Sequence, residues 1–541
     1  MKSHTLDSPV AQVGSWTTFI DVLRHHAENR PSKMAITFLN NGETEKASVN
    51  FADLDRRARA IASLLQKEAK PGQRALLLLP SGLEFIASFL GCLYAGVIAV
   101  PAFPFSSGPS RRGESWFRAI ASDAQPCVAF APSEMITKLP QAGNEPLVSA
   151  FRWISPELVD LSLANQWHEP ALGEATIAFL QYTSGSTSSP KGVMVSHGNL
   201  LHNMKVIQTV CRTSENSTVV TWLPLFHDMG LIGTVLQPLY LGAPCVLMSP
   251  TAFLEKPLRW LQAISKYRAH SSSAPNFAYE LCARKILAAE KAELDLSTWG
   301  VAVNGAEPVR PESMERFISA FAECGFRAEA FHPSYGLAES TLMVTGGGPA
   351  RAPKFMRVSA QALERNRARE ASAEEVARVL VGCGIELPGQ QIRIVDPDTS
   401  AECAEGRVGE IWVNSPSVSQ GYWNRAEETD ATFHGQLLSS NETRFLRTGD
   451  LGFFAGQELF ITGRLKDLII LHGRNLYPQD IELTVQQCNP GLRPGSGAAF
   501  AVEVNGQEAL VVINEVERRL EESAEKLVPA IRKAVLLEHG I

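Results

Sequence analysis

Residues 182–200 read YTSGSTSSPKGVMVSHGNL. The apolar run 175–182 ahead of the loop predicts a strand, and a helix is expected from about His197. Between them stand nine residues, Thr183 to Lys191, drawn only from Thr, Ser, Gly, Pro and Lys. Small hydroxyl residues and Gly let a backbone approach a ligand closely and turn several N–H groups toward one anion. Lys191 adds a compact positive charge beside them. The stretch reads as a phosphate cradle between a strand and a helix. It is not the commoner loop in which Lys directly follows the second Gly: Pro190 precedes Lys191, and Gly192 follows it. A mobile Ser/Gly linker has a similar composition, but linkers rarely sit between an apolar strand and a helix.

Outward from this loop, the first half of the chain alternates strand-like and helix-like segments. Expected strands are 74–79, 97–100, 127–131, 219–222, 244–248 and 300–303. Expected helices are 82–95, 114–124, 228–240 and 311–323. Such alternation favours α/β layers with mostly parallel sheets. After about residue 385 the character changes to short strands, 391–395, 409–413 and 458–462, separated by Gly, Pro, Asp and Asn. That spacing suits a small antiparallel sheet or barrel. The charged, Ala-rich stretch 361–379 reads as a solvated helix or surface loop. From Arg464 a third unit is expected: strand 467–471, helix 478–487, strands 498–504 and 509–514, and a helix over 515–538.

A chain of 541 residues needs several cores. Its 57 acidic and 50 basic residues, net −7 with no basic block, argue against nucleic acid as a partner. Nine scattered cysteines without a C-x-x-C pair indicate neither a zinc site nor a disulfide framework. They fit reduced thiols in a cytoplasmic protein. The N-terminus lacks the layout of a signal peptide. The uncharged run 85–105 is nominally long enough to span a bilayer, but Gly91, Gly96, Pro101 and Pro104 favour a buried helix followed by a buried strand.

Further motifs follow in order. PLFHDMGLIG (224–233) places His227 beside Asp228; VNGAEP (303–308) is a strand ending in a Gly turn. In HPSYGLAES (332–340), Tyr335 offers a flat face for adenine and Glu339 a hard oxygen ligand for Mg²⁺. In LRTGDLG (446–452), the Asp450 carboxylate can accept from both ribose hydroxyls. Arg464 can reach phosphate or ribose in GRLKDLIILHGRNLYPQDIE (463–482).

Taken together, these motifs resemble the adenylate-forming superfamily, and its fatty acyl-AMP ligase branch most closely. The branch's likeness rests on Y-G-L-A-E, with Ala338 where the wider superfamily carries Thr, and on the G-R-N-x-Y-P-Q-D-I-E string, HDMGLIG, APNFAYELC (274–282) and the charged insert 350–380. The resemblance covers the chain from about Trp16 to Ile541. It implies an α/β adenylate-forming fold. An N-terminal AMP-binding domain, 1–463, would hold two stacked α/β subdomains and a small β-barrel subdomain from about 385. A small α+β C-terminal domain, 464–541, would follow a hinge near Lys466.

The resemblance implies site roles as well. Thr183, Ser184, Gly185, Ser186, Thr187 and Lys191 would hold ATP phosphates. Gly305, Ala306, Glu307, Ser334, Tyr335, Gly336, Leu337 and Ala338 would line adenine and AMP, with Asp450 and Arg464 at the ribose and phosphate. His227, Asp228, Met229, Gly230, Gly233, Asn276 and Phe277 would line the acyl site. Glu339 and Thr187 would serve Mg²⁺, and His227, Glu339, Lys191 and Lys466 would carry catalysis.

The implied reaction converts a medium- or long-chain fatty acid and ATP to acyl-adenylate and pyrophosphate. The acyl group then passes to the phosphopantetheine thiol of an acyl carrier protein in polyketide or lipopeptide synthesis. An acyl-CoA synthetase and a non-catalytic acyl-adenylate-binding or carrier-docking module are the alternatives. One departure stands out: the superfamily's terminal segment, whose last Lys bridges carboxylate and α-phosphate, has no counterpart after Arg464. The C-terminal unit is therefore expected to be incomplete and its adenylation slow.

Overall fold

The computed structural model describes residues 16–104, 111–137, 151–183, 190–348, 351–471, 474–504, 507–517 and 524–541. They fall into two compact units, one built from residues up to Pro250 and the other mainly from Thr251–Ile541.

In the first unit, short Val-, Ala- and Leu-rich runs form strands that bury both faces, as a parallel sheet requires. One sheet runs in the order Arg152–Ile154, Val128–Phe130, Arg74–Leu77, Ile98–Pro101, Ile177–Thr183, Lys191–Ser196. All its pairings are parallel except the last. The uncharged run resolves into helix Leu83–Ala95, closed by Gly96 at φ 68°, and strand Ile98–Pro101. Among the described residues no helix is long and apolar enough to cross a membrane. A second set of strands orders Val219–Thr221, Cys245–Met248, Met34–Asn40, Thr44–Asn50.

The helix begins at His197, as expected, but a strand that the sequence did not announce precedes it. Lys191–Ser196 is a strand antiparallel to Ile177–Thr183, with Thr183 opposite Lys191, and the helix starts after it at His197. Val193 and Val195, both fully buried, supply the two-residue period. Residues 228–240 also differ: Met229–Leu236 is a wide π-type coil, and only Gln237–Leu241 is α-helical.

In the second unit, strands Ser271–Ala274, Val301–Asn304 and Phe331–Gly336 are parallel neighbours, and Met343–Gly346 returns antiparallel. Trp260, Tyr279, Trp299, Phe317 and Phe331 pack edge to face beside them, all buried. An antiparallel sheet of seven strands follows, in the path Phe355–Ser359, Ala377–Ile385, Glu458–Arg464, Ser440–Ala455, Gly409–Asn414, Gln391–Val395, with Gly435–Leu437 beside Ser440–Ala455. Among the described residues its two end strands do not pair, so it is an open sheet.

The charged stretch 361–379 is neither a long helix nor a plain loop. It opens in the four-residue helix Ala360–Leu363 and ends in strand Ala377–Ile385, which pairs with Phe355–Ser359. Val358, Leu363 and Leu380 enter one core with Leu451, Phe460 and Tyr477. Few apolar residues among many charges hid that pattern. Among the described residues the last helix is Ala524–His539, and the preceding strand, Gln507–Val516, runs past residue 514.

Candidate functional site

In the first unit, Thr183 ends one strand of the hairpin and Lys191 begins the other. Ser184, Gly185, Ser186 and Thr187 lie outside the described residues. The Gln181 side chain, one turn of the pleat before Thr183, donates from Nε2 to the carbonyl of Phe226 at 2.9 Å. The hairpin is thereby tied to the His227 segment. His227 is exposed; its backbone N–H donates to Pro224 O, and its carbonyl accepts from Leu231. Asp228 accepts from the N–H of Met229 at 2.6 Å. Burial pushes the Asp228 carboxyl above its usual range, against the pull of neighbouring His227. A Cβ on Gly230 would stand 2.2 Å from Pro224 O, so only Gly lets this coil start so close to the preceding turn. Thr234 closes the coil by donating to Gly230 O. Met229 and Gly233 are half-buried on it. Widened helical turns of this kind recur at functional sites.

In the second unit, the expected residues converge at the carboxyl ends of parallel strands, where open α/β sheets bind ligands. Strand Val301–Asn304 delivers Gly305, Ala306 and Glu307, and Ala306 takes a left-handed φ of 66°. Such strain in a non-glycine residue clusters at ligand sites. The Glu307 carboxylate accepts the N–H of Phe277 at 2.5 Å, at the start of helix Asn276–Lys285. Buried Asn276 spends its amide on protein partners: Nδ2 donates to Ser313, while Oδ1 accepts from the N–H of Arg310 and from Asn304. Asn276 thus braces the turn, and Phe277, with an exposed ring, stands beside it.

The neighbouring strand Phe331–Gly336 delivers Ser334, Tyr335 and Gly336, followed by Leu337 and buried Ala338. The Tyr335 ring is 8% exposed, and its hydroxyl donates to Asp450 Oδ2 at 2.8 Å. Arg464 Nε donates to Asp450 Oδ1 at 3.3 Å. Burial pushes the Asp450 carboxyl upward, while Arg464 and the Tyr335 hydroxyl oppose the rise. Each carboxylate oxygen retains a lone pair for a further donor. Lys466 is exposed on the short turn Leu465–Asp467.

Glu339 is half-buried, and its Oε1 accepts the Tyr422 hydroxyl at 2.7 Å. Its carbonyl accepts from Ser419, and Thr341 donates to Ser417 O, so the loop is fixed to the 417–422 segment. No group of three His, Cys, Asp or Glu side chains able to hold a metal occurs among the described residues. A lone fixed carboxylate suits Mg²⁺, which keeps several waters and is completed by substrate phosphates. Gln181 and Tyr422 were not singled out from sequence: neither carries a local signal, since each acts on a residue 45 or 83 positions away.

Comparison with known proteins places these motifs in context. The family described as AMP-binding enzyme matches residues 23–423. The chain is 47% identical to the medium-chain-fatty-acid–[acyl-carrier-protein] ligase JamA of Moorena producens, over 97% of its own length and 90% of that protein's. It is 35% identical to TtuA of Teredinibacter turnerae, which bears the same description, over 97% and 88% of the two lengths. The crystal structure of a Legionella pneumophila fatty acyl-adenylate ligase in complex with acyl adenylate and pyrophosphate is similar at a TM-score of 0.81 and 42% identity. That match covers 97% of this chain and 91% of the other.

Proposed function

The chain belongs to the AMP-binding enzyme family, in its fatty acyl-AMP ligase branch, and from that membership we propose that it activates a medium- or long-chain fatty acid with ATP and passes the acyl group to a carrier-protein thiol. A carboxylate oxygen of the fatty acid attacks the α-phosphorus of ATP. The bond to the β-phosphate oxygen breaks, and pyrophosphate leaves. A phosphopantetheine thiolate then attacks the acyl carbon, and AMP leaves.

The Asp450 cluster carries this reading. A buried carboxylate, already oriented by Tyr335 and Arg464, is built to receive paired hydroxyls such as those of ribose. The turns 305–307 and 334–338 offer backbone and small side chains to adenine. Lys191 offsets phosphate charge, and His227 with Asp228, Met229, Gly230 and Gly233 borders the acyl carboxylate. Little covalent chemistry falls to the protein; it positions the reactants and neutralises developing charge. Glu339 is the residue that would hold Mg²⁺, with Thr187 beside the phosphates. The ion, when bound, would neutralise charge on the reacting phosphates and the departing pyrophosphate.

Fatty-acid-dependent exchange of labelled pyrophosphate into ATP tests the first half-reaction. Exchange is expected only when Mg²⁺ and a fatty acid are both present. Its absence across a series of chain lengths, in a protein that binds ATP, would leave the chain a binding module.

A further inference from the structure

Asp450 stands on an irregularity of the antiparallel sheet, and the side chain that holds this irregularity comes from the next strand. Where Gly409–Asn414 pairs with Ser440–Ala455, Glu410 faces Leu451 and Trp412 faces Arg447, with a break in register between them. Ile411 is therefore opposed by Thr448, Gly449 and Asp450 together. Such a bulge frees backbone groups from the ladder and re-aims a side chain. Gly449 takes φ 72°, a left-handed conformation that suits glycine. Thr448 Oγ1 donates to Ile411 O at 2.7 Å and accepts the N–H of Asp450 at 3.1 Å.

The remaining donors converge on Glu410, which is 2% exposed. Its Oε1 accepts the N–H of Gly449 at 3.1 Å. Its Oε2 accepts from Trp412 Nε1 at 2.8 Å and from Arg447 Nε and Nη2 at 3.1 and 2.9 Å. The Arg447 guanidinium also lies over the Trp412 ring, 5.3 Å from its centroid. Glu410 thus grips both ends of the segment that carries Asp450.

We propose that Glu410 is a positioning residue for the nucleotide, holding the 447–450 bulge so that Asp450 meets the ribose hydroxyls. This rests on the reading of Asp450 as the ribose ligand. The site demands a carboxylate because every group facing it donates, and only an acceptor with two oxygens serves them all. Arg447 offsets the buried charge. Glutamine in its place would keep the volume but offer a single oxygen, and would turn an NH₂ group toward other donors. The bulge would then relax, and Asp450 with it.

The test compares binding of ATP with that of its 2′-deoxy and 3′-deoxy analogues, measured by calorimetry on the full chain with Mg²⁺. Wild type is expected to prefer ATP by about 10–100-fold, the worth of a charge-assisted hydrogen bond. In Glu410→Gln this preference falls to within about threefold of unity, while binding of the deoxy analogues changes little. A role confined to sheet stability would lower Tm and leave the preference intact, which would overturn the proposal. Asp450→Ala, measured alongside, separates the two levels. If it keeps the preference, Asp450 is not the ribose ligand, and both readings fall. If it loses the preference while Glu410→Gln keeps it, only the positioning role falls. Should Glu410→Gln not fold, Arg447→Lys decides: it keeps the charge, loses the two-pronged grip, and is expected to lower the preference severalfold. An unchanged preference in that folded variant overturns the proposal.

Discussion

Glu339→Gln is expected to slow acyl-adenylate formation by about 10²–10³-fold, since a Mg²⁺ ion held by this carboxylate would supply several kcal/mol of charge stabilisation at the reacting phosphates. The substitution is nearly isosteric and leaves the loop's other anchors in place. Ser419 still donates to the carbonyl of residue 339, and Thr341 still donates to Ser417 O. The Tyr422 hydroxyl, now on Glu339 Oε1, can donate to the amide oxygen instead. Thermal stability should therefore stay close to wild type while the negative charge is gone. The check is the rate at saturating ATP across an Mg²⁺ titration. A lower maximum together with a higher Mg²⁺ requirement is expected. An unchanged rate and Mg²⁺ requirement would remove Glu339 from the metal site.

The second large effect concerns the restraint between the charged insert and the C-terminal elements. Arg474 donates to both oxygens of Glu364 at 2.6 and 2.9 Å, and also to the carbonyl of His539 at 2.8 Å. Asn475 donates from its backbone to Glu364 O and from its side chain to Asn366. Arg378 pairs with Asp480 at 3.0 Å and covers the ring of Tyr477. These contacts tie residues 364–378 to 474–480. The Glu364 and Arg474 side chains are 21% and 34% exposed, so breaking the pair costs less than in a sealed core, about 2 kcal/mol. Glu364→Ala is expected to speed amide exchange over 474–488 by about 30-fold. Combined with Arg378→Ala, it should loosen these elements further and speed the exchange beyond that of the single variant. Unaltered exchange in the double variant would show that the insert does not restrain them.

Much of the second unit's candidate site was legible because it is built at strand ends, where Gly, acid and aromatic residues stand out against apolar runs. Asp450, Tyr335 and Glu339 were singled out by motifs that resemble those of the adenylate-forming superfamily, with side-chain chemistry suited to the expected roles. What holds them was not. Glu410 reaches Gly449 across 39 positions and Tyr422 reaches Glu339 across 83, through sheet registers that no local pattern announces. The strand Lys191–Ser196 was missed because only Val193 and Val195, on either side of Met194, mark its period. The insert's strands were hidden in the same way, with Val358 and Leu380 entering the core from among charged neighbours. The coil at 229–236 looked like an ordinary helix because its apolar composition suits one, and the close approach of Gly230 to Pro224 O has no local sequence signal.

The most direct measurement offers the full chain ATP, Mg²⁺, fatty acids of about eight to sixteen carbons, CoA and a phosphopantetheinylated carrier protein together, with products read by mass spectrometry. Acyl-adenylate and acylated carrier, with no acyl-CoA, are the expected products of a fatty acyl-AMP ligase. Acyl-CoA as the main product, with the carrier left unloaded, would contradict transfer to a carrier thiol and place the chain among the CoA-dependent enzymes.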